Sequence, residues 1–273
     1  MEKIKEKIQK IMLENQIEVF GAIPFSSIDH LIKCRGLGLI PKEARSVLLL
    51  LIPYNIGETA RRNISKYAVS KDYHLIAREL LDRIIQSLRE VYPKEEFIGF
   101  ADSSPIPEVA SALRAGLGAR GDNGLLINEI YGSYCFIAEI VSTAILPYNE
   151  AKPKECLHCG LCQKNCPGNA LAHRELDEGR CVSAISQKKG ELSRDEIALI
   201  KSGGLVWGCD ICQDVCPLNK GVKLTPIRAF YETALPYITK ENVSDAIKTR
   251  AFCWRGIGTI KRNIEILGKD NLF

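Results

Sequence analysis

The sequence predicts an α+β protein in two parts, a mixed α/β N-terminal domain over residues 1–148 and a smaller domain over residues 149–273. Two observations favour this division. Segments of strand character alternate with segments of helical period before residue 148, whereas seven of the eleven cysteines lie in two dense blocks after it. The polar, proline-bearing segment 147–154 is typical of a boundary between domains.

The first predicted elements are a helix and a buried strand. Residues 2–15 place isoleucines such as Ile4 and Ile8 on one stripe, which predicts an amphipathic helix. Val47 to Ile52 form a short apolar run that ends at Pro53, and this pattern predicts a buried strand.

The next segments continue the alternation of helix and strand. Residues 75–88 return to a helical period, and FIGFAD then predicts a short strand whose last residue is Asp102. The remaining predicted elements of this domain are a helix over 107–114, a glycine-dense loop over 115–124, and strands over 125–128 and 135–144.

The first cysteine block has the spacing of a bacterial ferredoxin. It reads Cys156-x2-Cys159-x2-Cys162-x3-Cys166-Pro167, a run in which three thiolates hold one cubane cluster and the fourth binds a second cluster. The spacing therefore predicts paired 4Fe-4S clusters in a ferredoxin-like domain.

The second block supplies only three cysteines, because Val206 stands where a complete motif has its first cysteine. Cys181, in GRCVSAIS, fills that gap and brings the number of thiolates to the eight that two cubanes need. The predicted ligands are Cys156, Cys159, Cys162 and Cys216 for cluster one, and Cys166, Cys181, Cys209 and Cys212 for cluster two.

Zinc and disulfides are the competing interpretations. Zinc sites favour pairs of cysteines separated by a longer stretch, unlike the triplet at i, i+3 and i+6 seen here. The N-terminal MEKIKEKIQK is charged and has no apolar signal core, so we expect a cytoplasmic protein without disulfides. The leftover Cys34, Cys135 and Cys253 are expected to be small buried hydrophobic residues.

Charge and hydropathy add limits on partners. The formal net charge of +4 is too small to indicate nucleic-acid binding without a concentrated basic patch. The longest apolar stretches are shorter than a membrane span or interrupted by Glu139, so no membrane partner is expected.

Three further segments have both a chemical and a structural interpretation. The loop GLGARGDNG lacks the pattern of a nucleotide-binding motif, and a sharp turn explains its glycines as well as close approach of a flat ligand does. Asp102, which two serines and Pro105 follow, is either a turn or N-cap residue or a proton donor at a strand end. YAVSKDYH at 67–74 brings Tyr, Asp and His together, although the start of a helix explains it equally well.

The order of these motifs resembles the epoxyqueuosine reductase family over roughly residues 40–265. The matching segments are YAVSKDYH, the Asp102 segment at 101–105, AGLGARGDNGLLINEIYGSY, CLHCGLCQKNCPGNAL, the lone Cys181, WGCDICQDVCP and WRGIGTIKRN. The cysteine spacings occur in many ferredoxin-like proteins, whereas their combination with DYH, the Asp102 segment and YGSY is much more specific.

The resemblance implies a cytoplasmic reductase that completes queuosine on tRNA with two 4Fe-4S clusters and cobalamin. It implies that cobalamin lies between the two domains and that Asp102 is the catalytic proton donor, with a carboxyl pKa raised by burial. An external low-potential electron donor and a monomeric protein are further expectations. The implied cobalamin contacts are Gly116, Gly118, Gly121, Asn123, Tyr131, Gly132, Ser133, Tyr134, Ser183 and Asp210.

Two departures from the family pattern affect the substrate. Family members commonly read GLGWIGKNT where this chain reads GLGARGDNG at 116–124, and full-length members continue into a helical-repeat extension that helps to grip tRNA. The sequence thus predicts a short relative. Reduction of a small molecule, as in reductive dehalogenases, and a non-catalytic double-cluster electron carrier are the alternatives.

Overall fold

An antiparallel four-stranded sheet is the framework of the N-terminal part. The computed structural model describes residues 2–148, 155–172 and 175–268. The sheet has the strand order β1-β2-β6-β3, and a separate pair, β4 and β5, follows the glycine-rich loop. The strands are β1 Phe20–Pro24, β2 Ser46–Pro53, β3 Phe97–Ala101, β4 Ala119–Arg120, β5 Leu126–Ile127 and β6 Cys135–Ser142.

The helices fall into long ones that cover the sheet and short ones that carry the cysteine segments. The longest, α2, has 19 residues, whereas α4 and α7 have four each. The helices are α1 Glu2–Glu14, α2 Tyr73–Val91, α3 Glu108–Arg114, α4 Leu161–Lys164, α5 Val182–Ser186, α6 Arg194–Gly203, α7 Ile211–Asp214, α8 Arg228–Glu232, α9 Val243–Ala246 and α10 Ile257–Gly268.

The central strand β2 is buried along its whole length because both faces of the sheet are covered. Alternate residues of a strand point to opposite faces. Leu48 and Leu50 pack in one apolar cluster with α1 and α2, while Leu49 and Leu51 pack in a second cluster with α3. This two-sided cover explains why the sequence shows a continuous apolar run here rather than an alternating one.

The predicted elements of the first domain are present, and the α+β prediction is confirmed. Helix α2 begins two residues earlier than predicted, because the Asp72 side chain accepts the backbone N–H of His74 and caps the helix. Strand β3 ends at Ala101, so that Asp102 lies just beyond it. Strand β1 was not predicted, since FGAIP is short and combines a glycine with a terminal proline.

Apolar packing crosses the predicted domain boundary. One cluster joins Ile64 and Val69 to Trp207 and Phe252, and the cluster beneath α2 contains Phe230. The division at residue 148 stays a prediction, and residues 149–154 of the predicted linker lie outside the described residues. The shared clusters mean that the two parts pack against each other extensively.

Within the described ranges, none of the helices is both long enough and apolar enough to cross a lipid bilayer.

Candidate active site and cluster-binding cysteines

A cavity of about 760 Å³ lies where the sheet meets the cysteine-bearing segments. Asp102 follows the end of β3, and Cys135 begins β6, the antiparallel neighbour of β3. The start of α2 contributes Tyr73 and His74 to the same cavity. Because these termini meet at one edge of the sheet, residues that are distant in sequence line a common space.

Asp102 lies in a tight turn with an unusual backbone. Its φ is +57° and that of Ser103 is +43°, a region that residues with a side chain seldom adopt. The Glu108 carboxylate accepts the backbone N–H of Asp102. Pro107, not Asp102, precedes the first residue of α3, so the N-cap interpretation of Asp102 is wrong and the turn interpretation is confirmed.

His74 joins two carboxylates at the mouth of the cavity. Its Nε2 lies 3.0 Å from Oδ2 of Asp102, and its Nδ1 lies 2.6 Å from Oδ1 of Asp72. The hydrogen bonds to Asp102 and Asp72 raise the pKa of His74 to about 9. At neutral pH the imidazole is therefore protonated and bridges two negative charges.

The expected protonation of Asp102 is reversed. The hydrogen bond from His74 lowers the pKa of Asp102 below its usual value, and this effect outweighs the opposing effect of burial. The Asp102 side chain is 55% exposed, so desolvation is only partial. The prediction of a raised pKa in Asp102 is wrong for this state of the protein, because nothing in the sequence indicates that His74 contacts the carboxylate.

Aromatic rings hold His74 in place. The Tyr73 ring stacks on His74 with 4.1 Å between centroids and on Phe136 with 3.9 Å, so three rings form a column along the cavity wall. Asp72 both caps α2 and bonds the His74 ring. The helix-start interpretation of YAVSKDYH is thus confirmed, and the same residues also place a charged imidazole at the cavity.

A second pair of acidic groups lies behind the Asp102 turn. Glu139 is fully buried in β6, and neither of its carboxylate oxygens has a hydrogen-bond partner among the described residues. Burial raises the pKa of Glu139 well above its usual value, although the nearby Ser104 hydroxyl opposes this. Burial and the charge of Asp102 raise the pKa of Glu108 to about 7. Glu139 is accordingly a neutral acid at pH 7.

The two predicted cysteine sets occupy two separate places. Four thiols line the large cavity and the other four line a small cavity beside Gly121 and Asn123. The large cavity has Cys166, Cys181, Cys209 and Cys212, and the small one has Cys156, Cys159, Cys162 and Cys216. This is the grouping that interleaved ligation requires, with Cys166 and Cys216 each crossing to the other block.

The thiols are prepared for metal rather than for free thiolate chemistry. Burial raises the pKa of Cys209 to about 11 and that of Cys212 to about 12, and the nearby thiols add to both shifts. Such thiols lose their protons when a metal binds. The backbone N–H of Ala170 donates to Sγ of Cys166 at 3.3 Å, a contact of the kind that tunes cluster potentials.

The three leftover cysteines do not share one environment. Cys253 is exposed and Cys34 is half-buried, with its thiol donating to the carbonyl oxygen of Ser103. The expectation that both are buried hydrophobic residues is wrong, because each lies in an irregular segment at or near the cavity. Cys135 begins β6 beside the cavity, and burial raises the pKa of its thiol.

Only some of the implied cobalamin contacts line the large cavity. Asn123, Ser133 and Ser183 do so. Among the described residues, seven others lie outside its lining: Gly116, Gly118, Gly121, Tyr131, Gly132, Tyr134 and Asp210. Their assignment as contacts came from the resemblance, and their surroundings show what they do in this structure.

The glycines and tyrosines among these seven support local structure. A Cβ at Gly118 would clash with the carbonyl oxygen of Ile127 on the paired strand. The Tyr131 hydroxyl donates to Glu18 at 2.7 Å, and that of Tyr134 donates to Asp214 at 2.7 Å. These residues shape the walls from behind.

Asp210 connects the cysteine region to the N-terminal part. Its side chain is buried, forms an ion pair with Arg62, and accepts the backbone N–H of Lys66 at 2.9 Å. This carboxylate therefore anchors the segment between Cys209 and Cys212. Its Oδ2 takes both contacts, on the side of the N-terminal part.

Sequence reasoning missed several residues that line the cavity. Phe136 and Gln213 lie in apolar or cysteine-rich runs that suggest only packing or metal binding, and Trp254 lies in a segment with no regular pattern. Gln213 donates to the Ser133 carbonyl and hydroxyl oxygens at 2.9 and 3.0 Å, so it fixes one polar wall. The position of Trp254 on the same cavity as Asp102 could not be read from the sequence.

Comparison with known proteins decides the family. Residues 38–103 match the profile described as epoxyqueuosine reductase QueG, DUF1730, and residues 155–219 match the 4Fe-4S double cluster binding domain. An epoxyqueuosine reductase of Cyclobacterium marinum is 33% identical over 243 residues, which cover 83% of this chain and 77% of the relative. The chain belongs to the epoxyqueuosine reductase family. It is therefore an oxidoreductase with a double 4Fe-4S cluster domain.

Solved structures show how far the fold is shared. An epoxyqueuosine reductase bound to a tRNA-Tyr stem loop superposes with a TM-score of 0.83 at 24% identity, covering 97% of this chain and 80% of that one. A reductive dehalogenase described as carrying out B12-dependent dehalogenation gives a TM-score of 0.52 at 14% identity, covering 97% and 35%. At these identities the likeness concerns the fold, which epoxyqueuosine reductases share more closely with this chain.

Proposed function

We propose that this chain reduces epoxyqueuosine to queuosine in tRNA, with electrons from two 4Fe-4S clusters and with cobalamin in the large cavity. The observation that supports the proposal is the composition of that cavity. It is lined by one complete set of four cysteines and also by the proton-bearing pair His74 and Asp102. A reductive step that needs both electrons and protons finds the groups for each around one space.

The cysteine grouping supports assignment of the two clusters. We assign the set of Cys166, Cys181, Cys209 and Cys212 to the cluster next to the reaction site. The set that contains Cys159 is assigned to the second cluster, which an external low-potential donor would reduce. Cubanes transfer electrons singly, so two of them can deliver the pair that the reduction consumes.

The cavity residues fit a large flat cofactor. The wall formed by Phe136, Tyr54 and Tyr67 is aromatic, and Ser183 with Asn123 offers polar contacts at other points of the lining. Residues of these types would hold cobalamin, with the cysteine set beside it. Bound cobalamin would supply low-potential electrons to the substrate carbon, chemistry that the protein side chains cannot perform.

The protein side chains supply protons. Conversion of an epoxide to an alkene consumes two electrons and two protons and releases water. His74 holds a proton at neutral pH and lies 3.0 Å from Asp102, so the pair can pass a proton to the departing oxygen and stabilise the charge that develops there. Asp102 takes the proton from His74 rather than storing it.

Anaerobic turnover tests the proposal. Protein loaded with both clusters and cobalamin is incubated with a chemical reductant and a tRNA stem loop that carries epoxyqueuosine, and the nucleosides are analysed by mass. We expect conversion to queuosine. Absence of conversion by fully loaded protein would contradict the proposal and favour reduction of a small molecule.

Asp102→Asn gives the matched control for the role of the turn. The variant is expected to keep iron, cobalamin and stem-loop binding while it loses turnover. If it turns over at the wild-type rate, Asp102 has no part in proton transfer.

A further inference from the structure

Trp254 presents a large aromatic side chain to solvent beside the cavity. It is 57% exposed and contributes to the cavity lining, in a short turn over Cys253–Arg255 that precedes α10. Its neighbour Phe252 is fully buried, with its ring 5.6 Å from that of Trp207. Because Phe252 anchors the turn in the core, the following side chain is held outward.

Arg255 covers the Trp254 ring and keeps unused hydrogen-bonding capacity. Its Cζ lies 3.7 Å from the ring centroid, a cation–π stack. Across the described part of the chain, its Nε finds no hydrogen-bond partner. A guanidinium stacked in this way is a planar donor suited to phosphate or to the edge of a base.

A second Arg–aromatic pair shows what an internally satisfied stack looks like. Arg61 lies 3.9 Å above the Tyr237 ring, but its Nη2 also donates to the Tyr237 hydroxyl at 2.6 Å. Neither residue belongs to the lining of the large cavity. The Trp254 pair differs both in its position at the cavity and in its unpaired donor.

These features fit a nucleobase better than a small reducible molecule. Single-stranded nucleotides are bound by stacking of bases on aromatic rings and by arginine contacts to phosphate. A substrate that lies wholly inside the cavity would gain little from an exposed indole outside it. A nucleotide whose neighbour enters the cavity would meet both the ring and the guanidinium.

We infer that Trp254 and Arg255 form a subsite that stacks a nucleotide flanking the modified base. This inference rests on the proposed function, because it requires an RNA substrate. Trp254 supplies the stacking surface and Arg255 the contact to the adjacent phosphate. The subsite thus contributes to substrate selection outside the reacting centre.

Fluorescent RNA tests the subsite directly. Stem loops that carry epoxyqueuosine are made with 2-aminopurine at the nucleotide on either side of it, and fluorescence is followed as cluster-loaded protein is added. We expect quenching at one of the two positions. Trp254→Leu should abolish that quenching and weaken binding about tenfold, the range of one lost base stack, whereas Trp254→Phe should retain most of both.

Two further variants separate stacking from general effects. Tyr237→Leu removes the aromatic ring of the other Arg–aromatic pair and should leave quenching and affinity unchanged. Arg255→Gln should reduce the slope of log affinity against log salt by about 0.7, as expected for one lost phosphate contact to a single strand. Iron content and the thermal midpoint of each variant confirm that folding is intact.

The two ways of failing are distinguishable. Wild-type protein that does not convert the stem loop contradicts the proposed function. Wild-type protein that converts it, while Trp254→Leu binds and quenches equally well, contradicts the stacking subsite alone.

Discussion

Proton supply to the cavity depends on two side chains that share a hydrogen bond. At pH 7 the proton resides on His74, whose pKa is raised to about 9, while Asp102 is ionised because its pKa is lowered. The stabilisation from the raised pKa of His74 is complete below its usual value of 6.5 and is lost as pH rises through about 9. Activity that draws on this proton should decline over the same alkaline range.

His74→Gln tests where the proton is held. Without the imidazolium, Asp102 must be the acid itself, and its pKa returns towards that of an ordinary carboxyl, which is ionised at neutral pH. We expect turnover at pH 7 to fall about 100-fold, with residual activity increasing towards acid pH. The measurement is the pH dependence of kcat for the stem loop.

His30→Gln is the matched control, because His30 is exposed and does not line the cavity. It should keep the wild-type profile. Unchanged turnover of His74→Gln at pH 7 would exclude His74 as the proton source.

Cys181 is the ligand with the weakest sequence support, since it lies outside both cysteine blocks. The structure places it at the same cavity as Cys166, Cys209 and Cys212. We expect Cys181→Ser to lower iron from about eight atoms per chain towards four, because one cubane loses a ligand. Iron analysis and the electron paramagnetic resonance spectrum of anaerobically prepared protein measure this.

Cys253→Ser serves as the control, as Cys253 is an exposed cysteine of the same cavity that belongs to neither set. It should retain all the iron. Full iron content in Cys181→Ser together with loss in Cys253→Ser would show that the ligand assignment is wrong.

Strand β6 carries an acid that a central strand does not ordinarily tolerate. Glu139 pairs with Leu49 on one side and Phe100 on the other, and its carboxyl has no partner in the described structure. A buried acid with a raised pKa takes up a proton on folding. Its stabilisation is therefore complete below the usual pKa of 4.5 and is lost as pH rises.

Glu139→Gln removes this dependence on pH. The amide is neutral at every pH, so we expect the variant to gain stability relative to wild type as pH rises from 5 to 8, by roughly 1 kcal/mol per pH unit. Thermal unfolding of cluster-loaded protein at the two pH values measures the change. Exposed Glu90→Gln should show no such gain, and a parallel response of both variants would contradict the prediction.

Elements with local causes could be predicted from the sequence, and arrangements with distant causes could not. Helix α2 and strand β2 follow from residue spacing alone, and the spacing of the cysteine blocks anticipated the two sets. The contact between His74 and Asp102 depends on how α2 packs on β3, 28 residues later. No local pattern records such a contact, and the protonation of Asp102 was mispredicted for that reason.

The two parts of the chain are joined by a desolvated ion pair as well as by shared apolar clusters. Asp210 is buried, and Arg62 is its charged partner, with the backbone N–H of Lys66 as a further donor. Burial raises the pKa of Asp210 and Arg62 opposes that rise. Removal of one partner leaves the other charge buried and uncompensated.

Arg62→Met should destabilise the protein by about 3 kcal/mol, because the Asp210 carboxylate loses its counter-charge. The double variant Arg62→Met with Asp210→Asn should recover much of this loss, since no buried charge remains. Thermal midpoints of the cluster-loaded proteins give both values. A double variant as unstable as the single one would show that the pair acts through shape rather than through charge.

The exposure of Cys159 gives the electron path a direction. Its cysteine set lines the small cavity apart from Asp102, whereas the other set borders the reaction space. Current must then run inward, from a docking partner at the periphery to the buried terminus. Dioxygen and chelators in the medium would attack the same outer cubane first, so the protein would lose its supply of reducing equivalents before its reaction chamber is damaged.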